Sequence, residues 1–352
     1  MKGLVFKGRR RLELKTFDDP TPGPGEVVLA IKASGLCGSD LHAYRREADI
    51  ETDIICGHEP AGEVVAVGQG VVNPIAKVGR RVMVHHYSGC GACADCNTGW
   101  RQMCSEVPMK LYGGTAHGAH AEYMKVAADT LLPLDERLSF QAGAAISCGT
   151  GTAWGALDRM NVSARDTLLV VGQGPVGLSA TMLGAALGAR VIALDLSDDR
   201  LALAKRFGAD ETINASSGGI VEAVRACTGG KGASKVMETS GSSQGAADGL
   251  ACLAKWGTLG LIGLGARLEL ETSAVFTRQI SVLTSWSMSW NGQKACSDFI
   301  LSKELDVEPL FTDRFVLEDA VEAYTCSIDK PAARRCSFSS APAQLPERDK
   351  IC

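Results

Sequence analysis

The sequence predicts an α/β protein in two parts, a compact β-rich domain followed by a doubly wound parallel sheet. Residues 1–35 and 60–85 fall into short β-runs, punctuated by Gly and Pro. From Thr167 onward, short apolar runs alternate with helical segments, the pattern of a parallel sheet with crossover helices. At 352 residues the chain is long enough for two separate cores.

In order, the runs GLVF, LELKTF and EVVLAIKAS read as strands, with DDPTPGPG as the break between the second and third. PAGEVVAVGQGVVNPIAKVGRRVMVH continues in the same style. At 142–160, AGAAISCGTGTAWGALDRM changes to a helical pattern with small-residue packing. LLVV then leads through a glycine loop into the helix PVGLSATMLGAALG, and VIALD into DDRLALAKRFGA. ETIN, the helix GIVEAVRACTG, KVMETS, the helix QGAADGLACLAK and GTLGLIGL complete the alternation. After Trp290, KACSDFILSKEL and LEDAVEAYTCSID read as helices. The stretch Ala332–Cys352 is polar and without period, and disorder is expected in part of it.

Composition excludes several classes. Net charge is −4 and no basic block extends beyond Arg9–Arg11, so nucleic acid is not an expected partner. No window approaches the roughly 18 apolar residues of a membrane span, and the amino terminus lacks a signal peptide's apolar core. A soluble, cytoplasmic protein is expected. Thirteen cysteines without such a signal favour metal ligation or free thiols over disulfides.

The strongest motif is C-x2-C-x2-C-x7-C, comprising Cys90, Cys93, Cys96 and Cys104. Four thiolates so spaced can converge tetrahedrally on one zinc, with Gly89, Gly91 and Gly99 allowing tight turns. Four protein ligands leave no open position, so such a zinc is structural. GQGPVG at 172–177, between an apolar strand and a helix, reads as a dinucleotide-binding turn. Gly172 permits the tight turn, Gly174 lets the backbone approach a pyrophosphate, and Gly177 allows close helix–sheet packing. Pro175 and Val176 open the helix whose amino terminus favours phosphate charge. Asp195 ends the next strand, eighteen residues past Gly177, where a carboxylate binds ribose hydroxyls and repels a 2′-phosphate. NAD is therefore expected over NADP, with Arg200 near enough to serve either ribose. Cys37 and His58 lie in a third stretch, Gly35–Glu59, with Cys148 as a candidate third ligand. Two sulfurs and one nitrogen would leave a zinc's fourth position open to water or substrate, and such a zinc acts as a Lewis acid.

These motifs, namely GLCGSDLH at 35–42, GHE at 57–59, the four-cysteine lobe, Cys148 with Thr152, and GQGPVG, resemble the zinc-dependent alcohol dehydrogenases of the medium-chain dehydrogenase/reductase family. The resemblance runs from about residue 1 to 330. It implies a GroES-like catalytic domain over 1–150 with the zinc lobe, a Rossmann NAD-binding domain over 151–290, and a return to the catalytic domain over 291–352 ending in a tail. It also implies two zincs per chain. Cys37, His58 and Cys148 fall on the catalytic ligands, and Glu59 on the acidic neighbour behind the metal. Ser39 falls on the hydroxyl that takes the alcohol's proton, and His42 on the histidine ending that relay through the cofactor ribose. Asp40 would orient His58, and Thr152 falls beside the nicotinamide.

The implied activity is reversible NAD-dependent oxidation of a primary or secondary alcohol to an aldehyde or ketone. A cysteine at 148 resembles simple alcohol dehydrogenases, whereas sorbitol- and threonine-type relatives tend to have an acidic residue there. The CGSD sequence at 37–40 also occurs in those polyol and amino-alcohol enzymes, which form the alternative. A non-catalytic zinc- and nucleotide-binding protein would need neither an open zinc site nor Ser39 and His42. The short segment between Cys104 and Cys148 resembles tetrameric types, implying a homotetramer rather than a dimer. Departures from the family are Arg80 in place of an Asp, His85 and His86 where apolar pocket residues are frequent, and Arg45 near the substrate cleft. The sequence after Ala333 also lacks the family's closing strand pattern; there Arg334 or Arg335 is a guess for a phosphate contact.

Overall fold

The structure, a computed structural model, describes residues 1–329 and 336–339. It divides into two compact units. One comprises Met1–Cys148 with the described residues from Phe311 onward, and the other Gly149–Leu310.

The first unit is built on a seven-stranded sheet. Its order is Asp313–Val316, Cys336–Ser339, Glu26–Gly35, Glu59–Val67, Arg81–Val84 and Leu131–Pro133, with Tyr123–Ala127 pairing Glu26–Gly35 off this path. All pairings are antiparallel except that of Asp313–Val316 with Cys336–Ser339. Val27, Leu29, Ile31, Val64, Val82, Val84, Met124 and Val126 form its core. A hairpin, Lys2–Gly8 with Arg11–Thr16, packs a second cluster (Leu4, Phe6) against Tyr44, Phe315 and Tyr324.

Cys336–Ser339 is the closing strand that polar sequence concealed. It pairs on both sides, and its one described side chain, Phe338, is buried against the His120 ring at 4.6 Å. Four residues with a single large apolar side chain carry no readable period. Arg334 and Arg335 lie outside the described residues.

The second unit is a six-stranded, wholly parallel sheet. Its order is Glu211–Asn214, Arg190–Asp195, Thr167–Val171, Ala233–Glu238, Leu253–Leu261 and Ser281–Thr284. The helices Pro175–Ala186, Asp198–Arg206, Ile220–Cys227 and Ser243–Cys252 alternate with the strands. Strands such as LLVV are buried throughout because helices cover a doubly wound sheet on both faces. The chain leaves Thr167–Val171 first toward one edge and then toward the other. The strand order therefore reverses there, and ligands bind at the carboxyl ends of such strands.

This is the expected α/β architecture, a GroES-like unit and a Rossmann-like sheet. The second unit runs further than expected, to Leu310 rather than 290. Helix Trp290–Ser302 belongs to it because Phe299 packs its ring on Trp154, with centroids 4.8 Å apart. Among the described residues, no helix is long and apolar enough to cross a membrane.

Candidate active site

The short helix Gly38–Tyr44 begins at Cys37, whose backbone N–H is accepted by Asp40 Oδ2 at 2.9 Å. Asp40 Oδ1 lies 3.3 Å from His58 Nδ1. One buried carboxylate thus fixes both the helix start and the His58 ring. It takes the Nδ1 hydrogen and leaves Nε2 as the free electron pair. His58 follows Gly57, which sits at φ +88°; a Cβ on Gly57 would lie 2.3 Å from His120 Nδ1. Cys148 enters from far along the chain, as the C-cap of the buried helix Phe140–Ser147.

Cys37, His58 and Cys148 bring their ligand atoms within 4.8 Å of one another. The two Sγ atoms are 3.8 Å apart. Two thiolates on one tetrahedral zinc, at Zn–S about 2.3 Å, are separated by about 3.8 Å, so the pair fits a shared metal. Ser39 Oγ is 3.2 Å from His58 Nε2, which sets this hydroxyl beside the donor atom. His42 is exposed near the end of the same helix, and Glu59, next to His58 in the chain, is buried. A Cβ on Gly35 would meet Glu59 Oε2 at 1.8 Å, so only glycine leaves room for that carboxylate.

The electrostatics favour a thiolate at Cys37, the form that ligates a metal. The Cys148 thiol beside Cys37, together with the His58 imidazole, holds the Cys37 thiol well below its usual range despite burial. Burial works against a charged His58, but the Asp40 and Cys37 charges outweigh it and raise the imidazole well above its usual range. His85 and His86 are both buried. His86 Nδ1 lies 2.9 Å from the Ser147 carbonyl oxygen, and its ring meets His58's at 5.3 Å. Burial and the neighbouring His58 and His85 push His86 well below the usual imidazole range.

Cys90, Cys93, Cys96 and Cys104 form a second cluster, their sulfurs also within 4.8 Å of one another. Cys90–Cys96 and Cys93–Cys104 separations of 3.9 and 4.0 Å again match tetrahedral edges and lie far beyond a disulfide bond. Backbone N–H groups of Cys93 and Ala92 donate to Cys90 Sγ, that of Cys96 to Cys93 Sγ, and that of Cys90 to Cys104 Sγ. The Cys90 N–H, with those of Val107 and Glu106, brings the Cys104 thiol down to about 6, while burial pushes Cys96 up to about 12. Gly91 and Gly99 take positive φ. Gly89 matters for closeness instead, since a Cβ there would lie 2.7 Å from Cys96 Sγ.

In the second unit, Gly172 sits at φ +86°, and a Cβ on Gly177 would lie 1.8 Å from the Gly172 carbonyl oxygen. Around Gly174 a Cβ would meet nothing within 4 Å, so the loop has open space where a phosphate would approach. Pro175 is at the start of the helix, followed by Val176 and Gly177, and no side chain caps its first N–H groups. Asp195, almost fully buried, accepts the N–H of Gln173 at 2.6 Å and of Ser197 at 3.0 Å; Arg200 Nη1 is 3.6 Å away. Thr152 is half-buried in helix Gly149–Arg159.

Two bracing residues escaped sequence reading. Gln173 is buried, tied by Nε2 to the Val170 carbonyl and by Oε1 to the Thr181 hydroxyl, which stiffens the glycine loop from beneath. Buried Glu238 accepts the N–H groups of Ser240 and Gly241 at the end of the adjacent strand. Only their position beside strand ends hints at either role.

Donor sets and fold together define a class, the zinc-binding dehydrogenases. The alcohol dehydrogenase GroES-like domain matches residues 23–136, and the zinc-binding dehydrogenase domain matches 175–302. An uncharacterised zinc-type alcohol dehydrogenase-like protein of Escherichia coli K12, YphC, is 37% identical over 92% of this chain and 94% of its own length. A sorbitol dehydrogenase of Bacillus subtilis is 31% identical over 92% of each. The solved alcohol dehydrogenase TADH of Thermus sp. ATN1 superposes with TM-score 0.89 at 26% identity, covering 96% of this chain and 99% of that one. The chain belongs to the zinc-dependent alcohol dehydrogenases of the medium-chain dehydrogenase/reductase family.

Proposed function

We propose that this protein oxidises an alcohol to its aldehyde or ketone, reversibly and with NAD, at a zinc held by Cys37, His58 and Cys148. The observation that carries this reading is the three-donor cluster with Ser39 Oγ 3.2 Å from His58 Nε2. When bound, zinc supplies Lewis acidity to the alcohol oxygen, and the nicotinamide accepts the hydride.

The chain's own residues do the rest. Asp40 holds His58 in the tautomer that exposes Nε2. Ser39 would take the hydroxyl proton, and exposed His42, on the same helix, would release it to solvent. Glu59 backs the cluster. Gly172, Gly174, Pro175, Val176 and Gly177 would receive the pyrophosphate at the helix start; Asp195, with Arg200, would receive the ribose, and Thr152 would serve the nicotinamide. The Cys90–Cys104 lobe would hold a second, structural zinc. A homotetramer is the assembly we favour.

Polyol or amino-alcohol oxidation is a second reading, supported by the CGSD sequence at 37–40 and by the sorbitol dehydrogenase relative. The test is reduced-cofactor absorbance against simple alcohols, diols, polyols and threonine, with NAD and NADP compared. Turnover with NAD is expected, and Asp195→Ala should relax discrimination against NADP. No turnover on any alcohol would refute the activity, and an unchanged cofactor ratio would refute the role of Asp195.

A further inference from the structure

His120 is buried next to the chain that carries His58, and the chemistry above makes no use of it. A Cβ built on Gly57 would lie 2.3, 2.6 and 2.7 Å from Nδ1, Cγ and Cε1 of its ring. The imidazole therefore rests directly on the backbone of Gly57, the residue before His58. The backbone around that contact is pinned as well. Ala119 N–H donates to the Gly57 carbonyl at 2.8 Å, and His120 N–H to the Cys56 carbonyl at 2.9 Å.

Two strands hold the ring in turn. Its Nδ1 is 2.8 Å from the Ser34 hydroxyl, and the Phe338 ring meets it edge-on, at 70° with centroids 4.6 Å apart. Ser34 and Phe338 are direct partners in the pairing of Glu26–Gly35 with Cys336–Ser339. One cross-strand pair thus grips the ring that supports Gly57. Nε2 is sealed in the core without a hydrogen bond among the described residues. An unused buried nitrogen costs stability, and an apolar ring would fill the same space without that cost. What the imidazole adds is the bond to Ser34, which fixes where the ring stands.

We propose that His120 is a positioning residue for the metal site. Through Gly57 it sets where His58 stands, and through Phe338 it makes that position depend on the closing strand Cys336–Ser339. This rests on the reading of Cys37, His58 and Cys148 as a zinc site. Zinc holds its donors at fixed distances and angles, so a shift at Gly57 reaches zinc affinity through His58. The Cys90–Cys104 lobe does not share the support, since the N–H donors to its Cys90, Cys93 and Cys104 sulfurs include its own backbone.

The test is competition for zinc between the full chain and a chelator, in which the release step missing from Cys148→Ala marks the open site. His120→Ala should weaken zinc at that site about 10–100-fold, as for other residues that orient a ligand. Phe338→Ala should weaken it about 2- to 30-fold, the range for a residue acting through a packed neighbour. Phe338→Leu refills most of the space and should recover most of the loss. Because Phe338 acts through the His120 ring, the double variant should hold zinc no more weakly than His120→Ala alone. The lobe zinc should keep its wild-type affinity throughout. If His120→Ala does not fold, Ser34→Ala decides the matter; it removes only the bond to Nδ1 and should weaken the open site alone. Unchanged affinity in these variants would overturn the proposal, as would losses that add in the double variant. Parallel loss of the lobe zinc would overturn it too, since the ring would then support the fold at large. A wild type without any release step that Cys148→Ala abolishes would instead overturn the zinc site itself, and the His120 proposal with it.

Discussion

At the scale of single residues, Asp40 has the widest reach for its size. Each carboxylate oxygen has its own task, one on the Cys37 N–H and the other on His58 Nδ1. Asp40→Asn keeps the shape but can put an amide N–H against His58 Nδ1, opposing the tautomer that frees Nε2. Zinc affinity at this site, measured by chelator competition, should fall about 10–100-fold; unchanged affinity would mean that the ring is held by packing alone. His120 is a second such residue, buried with its Nδ1 2.8 Å from the Ser34 hydroxyl and pushed down to about 4 by burial. Its folded value lies below the unfolded one of about 6.5, so protons bind the unfolded chain first as pH falls. Stability should be complete above pH 6.5 and decline toward pH 4, by up to about 3 kcal/mol from this group. Urea unfolding at pH 7 and pH 4.5 checks this. His120→Asn should lower the plateau and flatten the slope, with buried His86 leaving some slope behind.

At the scale of elements, close approach rules the glycine loop. A Cβ at Gly177 would have to displace the Gly172 carbonyl, a backbone atom with nowhere to move. Gly177→Ala should therefore cost more than about 3 kcal/mol of stability or abolish NAD binding, read by unfolding and by cofactor fluorescence. Neither effect would mean that the helix and strand can separate at this point. This loop was legible because glycine spacing, an apolar strand and a terminal acid coincide in sequence, and the same holds for the Cys90–Cys104 lobe. Gln173 and Glu238 were not legible, since a polar residue near a strand end looks alike whether it points in or out. Strand Cys336–Ser339 was missed for want of a period. The Trp290–Ser302 helix was read correctly as a helix but assigned to the wrong unit, because its partner, Trp154, lies well over a hundred residues earlier.

At the scale of the whole molecule, two donor sets with different numbers of ligands divide the labour. Four sulfurs would close one metal site, while two sulfurs and one imidazole would leave the other with a position to spare. The closed set is local in sequence and could be read without a structure. The open set joins Cys37, His58 and Cys148 only because helix Phe140–Ser147 packs on strands Glu26–Gly35 and Glu59–Val67, whose ends lie next to the first two in the chain. The most direct measurement is zinc stoichiometry per chain, by plasma mass spectrometry, for wild type and for Cys148→Ala. Two zincs are expected in the wild type and about one in the variant, with NAD affinity retained. A single zinc in both proteins, or two in the variant, would contradict the assignment of Cys148 to an open metal site.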